Sequence, residues 1–496
     1  MSQQCIASSG IPALDDILRG GFSRDCLYLL AGGSGTGKTT LAMQFLLAGA
    51  ACAESCLYVT LSETRAEMDR VALSHGWDLS GIERVELALT ENNLSASSQL
   101  TIFNPSELEL GETTEALIAA ANHYQPRRLV IDSLSELRLI AQNAIRYRRQ
   151  VLALKRFFAG RDCTVLLLDD LTGGSGDDHL RSIAHGVVEL EQPVNQYGAE
   201  RRRLRICKLR GVAFRGGFHD FSIRKGGLDV FPRLIAAEHT TDYPECDLSS
   251  GKTALDQLLG GGLPAGTSTL LIGPAGVGKS TVATQFAVAA AARGERTAMF
   301  VFDENIDTFR SRSRKLGMAV EPAMTQGLLT IQQVDPAELS SGEFAAIVRH
   351  ATEGSDGSGL RAKFIIVDSL NGYLNAMPEE KFLTVQLHEL LSYLGHQGVV
   401  SILTVTQSGM VGVMQSPVDT TYLADNVILF RYFEAAGSVR RAVSVIKKRN
   451  GRHERTIREF DMDETGIVIG EPLADFQGVL TGVPHYRGTN ARLMEK

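Results

Sequence analysis

The chain has 496 residues, enough for about two to five domains of ordinary size. Its 44% hydrophobic and 22% charged residues match folded globular usage, and 14 prolines against 49 glycines exclude a collagen-like or proline-rich disordered chain. Fifty basic and 57 acidic residues leave a net charge of −7, which argues against a surface built as a whole to coat nucleic acid or anionic membrane.

The opening MSQQCIASSG lacks a charged-then-apolar signal layout, and no 18-residue apolar run escapes charge, so a cytoplasmic protein with no membrane attachment is expected. Seven cysteines at scattered positions fit reduced thiols in such a compartment. The chain repeats itself. ALDDILRGGF (13–22) returns as ALDQLLGGGL (254–263), and GGSGTGKTTLAMQF (32–45) returns as GPAGVGKSTVATQF (273–286), both 241 residues later. LVIDSL (129–134) and CKLRG (207–211) find their echoes in IVDSL (366–370) and IKKRN (446–450), in the same order. The expected organisation is therefore a first domain over 1–238, a polar linker around 236–243, a second domain over 244–470 and a tail over 471–496.

In chain order, apolar runs at 27–30, 57–61, 129–131 and 164–168 read as buried strands, with a helix at 39–51. The second half repeats them at 269–272, 298–302, 364–367 and 400–405, with a helix at 281–292. The alternation predicts an α/β fold in each half, a mostly parallel sheet with flanking helices. VVELEQ (187–192) and NVILFRYFE (426–434) point to an antiparallel extension of each sheet.

Two phosphate-binding loops carry the chemistry. Gly32, Gly33, Ser34, Gly35, Thr36, Gly37, Lys38, Thr39 and Thr40 form one; Gly273, Pro274, Ala275, Gly276, Val277, Gly278, Lys279, Ser280 and Thr281 form the other. Each follows an apolar strand and opens a helix, the context in which backbone N–H groups turn inward around phosphate oxygens. The lysine offsets β/γ-phosphate charge, and the hydroxyl of Thr39 or Ser280 can ligate Mg²⁺. Asp132 and Asp368 each end an apolar run and are expected to complete the metal shell, a helix cap being the plainer alternative. Glu63 and Glu304 are expected at the end of the strand beside the phosphate-loop strand, where a carboxylate can orient water; Ser62 precedes one and Asp303 the other. Lys208, Arg210, Lys447 and Arg449 lie two apart on strands, as cations for a transferring phosphoryl group. The run ERRRLRICKLRGVAFRGG (200–217) leaves a nucleic-acid patch open, although it offers few aromatics for stacking; RYRRQVLALKRFFAGR (146–161) reads as a solvated helix face.

From about Ile6 to Ile467, this combination of two phosphate loops, strand-end acids followed by Ser-Leu, and late K-x-R motifs resembles the KaiC-like branch of the RecA superfamily. The resemblance implies tandem RecA-like ATP- and Mg²⁺-dependent ATPase domains in a two-tiered homo-hexameric ring, with nucleotide between neighbouring subunits. It implies catalytic acids at Glu63, Asp303 and Glu304, and reach of Lys208, Arg210, Lys447 and Arg449 to the neighbour's nucleotide. It also implies Ser/Thr autokinase activity in the second domain, with Thr421 as phosphoacceptor, and protein signalling partners in clock-like regulation. Two departures stand out: Tyr422 occupies the family's second acceptor position, and Ser62 stands where an acid pair is the pattern. The rival readings are a recombinase-like ATPase whose nucleotide state controls DNA affinity, and a nucleotide-gated scaffold with negligible turnover.

Overall fold

The computed structural model describes residues 6–87, 105–170, 177–194, 198–375, 383–407, 422–435, 437–480 and 485–486. The chain divides into two compact units, Met1–Arg233 and Leu234–Lys496. The division falls just before the expected linker, because a short 3₁₀ turn at Ala236–Glu238 belongs to the second unit. Ala236 N–H donates to Glu389, and the Gln397 side chain donates to the His239 carbonyl.

In the first unit the main strands are β1 (Leu27–Gly32), β2 (Cys56–Thr60), β3 (Glu83–Glu86), β4 (Arg128–Asp132), β5 (Thr164–Asp170), β6 (Gly186–Glu191), β7 (Arg202–Leu209), β8 (Phe218–Arg224) and β9 (Gly227–Phe231). The second unit repeats the set as β10 (Ser268–Gly273), β11 (Arg296–Val301), β12 (Leu329–Gln333), β13 (Ala362–Asp368), β14 (Val400–Thr406), β15 (Asn426–Ala435), β16 (Ser438–Lys448), β17 (Arg458–Asp463) and β18 (Gly466–Pro472). Among the described residues the first sheet is ordered β3-β2-β4-β5-β1-β6-β7-β8-β9 and the second β12-β11-β13-β14-β10-β15-β16-β17-β18, the same topology with labels nine apart.

β6 and β15, expected to be antiparallel, instead run parallel to the phosphate-loop strands β1 and β10. The direction reverses one strand later, where β7 and β16 pair antiparallel to them. Helices cover both faces of each sheet, so the central strands are apolar on both sides. Tyr28 and Leu30 of β1 face one buried cluster while Leu27, Leu29 and Ala31 face another; Leu271 and the Leu270/Ile272 pair divide likewise in β10. The helices after the phosphate loops, Lys38–Ala51 and Lys279–Ala292, are buried along most of their length, which explains their nearly uniform apolar character.

The basic segment at 146–161 forms a helix over Ala144–Phe158 that buries Tyr147, Val151, Leu154 and Phe158. The segment from 471 onward is not simply a tail. It completes β18, and Phe476 then meets Phe433 with ring centroids 5.4 Å apart, while Val479 is buried beside them.

Candidate functional site

Both phosphate loops leave the carboxyl end of a central strand. Gly37 and Gly278 take left-handed backbone with φ of 97° and 114°, which aims the first N–H groups of each helix into the loop. A Cβ at Gly278 would sit 2.7 Å from the Phe460 ring, and one at Gly32 would sit 2.7 Å from the Leu190 carbonyl, so sterics as well as torsion demand glycine there. Inside the first loop, Thr36 Oγ1 donates to the Gly33 carbonyl at 2.8 Å, while Ser34 and Gly35 stay exposed. In the second, Ala275 and Gly276 are exposed, and Pro274 and Val277 are buried. Thr40 and Thr281, the third residue of each helix, are buried too.

Each loop lysine folds back over its loop. Lys38 Nζ donates to the carbonyls of Gly32 and Gly33 at 2.9 and 2.8 Å, and Lys279 Nζ to those of Gly273 and Pro274 at 2.9 and 2.7 Å. The two lysines then differ. Lys38 is also paired at 2.7 Å with Asp170, at the end of β5, the true neighbour of the loop strand. Burial pushes the Asp170 carboxyl up, but Lys38, Ser135 and Arg138 outweigh it and hold the group below the usual carboxylate range. The matching position on β14 is Thr406, so Lys279 has no such carboxylate, and burial pulls its ammonium down to about 8 against the pull of Asp368.

The strand-end aspartates meet the loop hydroxyls. Thr39 Oγ1 donates to Asp132 at 3.0 Å, and Ser280 Oγ to Asp368 at 3.0 Å. A second hydroxyl reaches each aspartate at 2.5 Å, but from a different neighbour: Tyr58 on β2 in the first unit and Thr404 on β14 in the second. Burial raises the pKa of both carboxyls in spite of these bonds. A buried carboxylate and a hydroxyl from the loop are hard oxygen donors suited to Mg²⁺, which keeps part of its shell for phosphate and water. Among the described residues no three His, Cys, Asp or Glu side chains are grouped so that they could hold a metal ion.

Glu63 and Glu304 follow β2 and β11, which are not beside the loop strands as the spacing had suggested. Two strands intervene in each sheet. The acids nonetheless reach the site, because the chain leaving each strand bonds to the aspartate-bearing neighbour: Leu61 N–H donates to the Asp132 carbonyl and Phe302 N–H to that of Asp368. Glu63 is half-buried, its Oε2 is buried with no hydrogen-bond partner, and desolvation, reinforced by Asp132 and Glu67, raises its pKa. Glu304 is instead gripped by Arg312 at 2.8 and 3.2 Å, and Asp303 accepts a hydrogen bond from Ser369. In the second unit these parts surround one cleft of 1010 Å³, lined by Gly276, Lys279, Ser280, Asp303, Glu304 and Arg312 among others.

The late cations lie at the other end of the sheet. Lys208 is paired through Val187 to Leu29, and Arg210 through His185 to Leu27, five residues back along β1 from Gly32. That is about 16 Å of strand. Lys447 and Arg449 repeat the placement, reaching back through Val427 and Asp425 to Leu270 and Ser268. Lys208 Nζ and Arg210 both donate to the Ser182 carbonyl, at 3.1 and 2.9 Å; Lys447 Nζ donates to the Ala424 carbonyl, and Arg449 pairs with Asp425 at 2.9 Å. Three more arginines of the basic run are ion-paired within the unit: Arg203 with Glu191, Arg205 with Glu189 and Arg215 with Asp16. Thr421 lies outside the described residues, next to an exposed Tyr422.

Asp170, Tyr58, Thr404, Ser369 and Arg312 were not anticipated from sequence. Asp170 had a visible signal, the doubled acid closing TVLLLDD (164–170).

Comparison with known proteins agrees with the tandem architecture. A family model described as the KaiC ATPase matches residues 7–235 and again 248–474. The circadian clock oscillator protein KaiC of Parathermosynechococcus lividus is 27% identical over 490 residues, covering 96% of this chain and 87% of its own length. That of Synechococcus elongatus is 27% identical over 484 residues, covering 96% and 91%. The circadian clock protein KaiC3 of a Synechocystis species is 25% identical over 485 residues, covering 96% and 94%. With both repeats matched and the same nucleotide-site geometry built twice, the chain belongs to the KaiC family of ATPases.

Proposed function

We propose that this protein binds Mg-ATP at both phosphate loops and hydrolyses it as a homo-hexameric ring in which each site is completed by the neighbouring subunit. The observation that carries this reading is the placement of Arg210 and Arg449 about 16 Å, and of Lys208 and Lys447 about 10 Å, back along the strands from their own loops, with their side chains bonded at that far end. In a head-to-tail ring the same residues on one copy face the loop of the next. The acid beside each loop, Glu63 or Glu304, orients water toward the terminal phosphoryl group and draws off its proton as the bond to the leaving oxygen breaks. Thr39 with Asp132, and Ser280 with Asp368, would hold Mg²⁺, which would supply charge neutralisation on the phosphates. The ion pairs that absorb Arg203, Arg205 and Arg215 favour this reading over a DNA-binding recombinase.

The second unit adds autophosphorylation of Thr421, with Asp303 taking the hydroxyl proton, and the ring serves nucleotide-dependent signalling through protein partners. An acid pair exists only in this half, where Ser62 of the first unit gives way to Asp303. After incubation with Mg-ATP, mass spectrometry is expected to find phosphate on Thr421 and to lose it in Asp303→Asn. No phosphate anywhere from Gln415 to Tyr422, with ATP visibly consumed, contradicts the autokinase claim.

Trans completion is tested by mixing. On a Lys279→Ala background, Arg210→Ala and Glu63→Gln chains are each expected to lose first-unit turnover, and a 1:1 mixture to regain about a quarter of it, the fraction of interfaces pairing an intact acid with an intact cation. No recovery after demonstrated subunit exchange contradicts it.

The depressed Lys279 ammonium gives a pH signature. ATP favours the charged form, so binding at the second site pulls a proton onto Lys279 at pH values above about 8, and affinity falls as pH rises further. Calorimetry at pH 8.5 in buffers of different ionisation enthalpy should show this uptake on a Lys38→Ala background, and Lys279→Arg should abolish it.

A further inference from the structure

The second unit carries a cation that the first lacks. Arg312 lies on the helix Ile306–Lys315, which follows Glu304 directly; at the matching place, 241 residues earlier, the helix Arg65–His75 has Val71. The guanidinium makes two bonds to Glu304, Nη2 to Oε2 at 2.8 Å and Nε to Oε1 at 3.2 Å, and a third from Nη1 to Thr281 Oγ1 at 3.2 Å. Thr281 is the last residue of the phosphate loop, so Arg312 stands at the rim of the phosphate cradle while its charge is taken up by the acid. Both partners remain partly accessible from the cleft, with side-chain exposures of 29% and 24%.

A guanidinium fork fits a phosphate as well as a carboxylate, and a phosphate carries more charge. Lys279, Arg312 and Lys315 line the cleft together with Asp303, Glu304 and Asp307, and Arg312 is the one of these cations whose ion pair with a cleft carboxylate an incoming phosphate would have to displace. We propose that Arg312 is a cation of the second nucleotide site that exchanges partners: it clamps Glu304 when no nucleotide is bound, and transfers to a phosphate of the bound nucleotide, which frees Glu304 for water. The first unit has Val71 at the matching place, and among the described residues Glu63 Oε2 has no hydrogen-bond partner. The inference rests on the reading that the second loop binds ATP.

A double-variant cycle on ATP affinity tests it, in the full chain with Lys38→Ala silencing the first site and a non-hydrolysable ATP analogue with Mg²⁺ as the probe. Arg312→Ala is expected to weaken binding by roughly tenfold to a hundredfold, the loss of charge-assisted hydrogen bonds. Arg312→Lys should recover part of the loss. Glu304→Gln should tighten binding by releasing the guanidinium, and the gain should vanish when Arg312→Ala is also present. Equal tightening by Glu304→Gln with and without Arg312 overturns the exchange, since the acid then merely repels the nucleotide. Unchanged affinity in Arg312→Ala also overturns it. A parent protein that binds no analogue, or binds equally well as Lys279→Ala, overturns instead the nucleotide reading on which the exchange rests.

Discussion

Parallel strands bring all their carboxyl ends to one edge of a sheet, and an antiparallel strand must return to the other. In each unit that constraint sorts the chemistry. β1 delivers the phosphate loop, β4 delivers Asp132, and the turn after β2 delivers Glu63, all to one edge. β7 runs back, so Lys208 and Arg210 emerge at the opposite edge. A single copy thus holds the phosphate loop and its acids at one end of each sheet and the Lys208–Arg210 or Lys447–Arg449 pair toward the other, and the proposed head-to-tail ring would bring the two together.

The two units use this plan with different electrostatics. In the first, Asp170 pairs with Lys38, and Glu63 is desolvated, with no hydrogen-bond partner to its Oε2 among the described residues. In the second, Lys279 sits without that carboxylate and Glu304 is clamped by Arg312. The substitutions responsible are few, Asp170 against Thr406 and Val71 against Arg312, and they leave the backbone of the site unchanged. Even the hydroxyl that steadies the metal-site aspartate changes source, from Tyr58 on one side of β4 to Thr404 on the other side of β13. The same fold therefore builds two phosphate-loop sites with different charge surroundings.

Much of this was legible because spacing encodes it. The phosphate loops, the strand-end aspartates and the 241-residue repeat all follow from local order along the chain, and the main strands appear within about two residues of where apolar runs place them. What spacing cannot encode is sheet order. The strand before Glu63 follows the phosphate loop in sequence, yet β4 and β5 insert between it and β1, so the acid's neighbours could not be read. Tyr58, Thr404 and Arg312 were hidden for the same reason: each matters only through a partner on another element. The polar linker expected at 236–243 falls in the gap between the two stretches that the family model matches, although Ala236 is buried; the segment after 471 has the mixed polarity of a tail, yet it buries Val479.

The central claim is that catalysis belongs to the interface between copies and not to a single chain. It is tested most directly by measuring phosphate release per chain across a dilution series while light scattering follows mass in the same samples with ATP present. The account predicts that release per chain rises with protein concentration in step with assembly and is nearly absent for the monomer. Release that stays constant per chain while the protein is monomeric would contradict it.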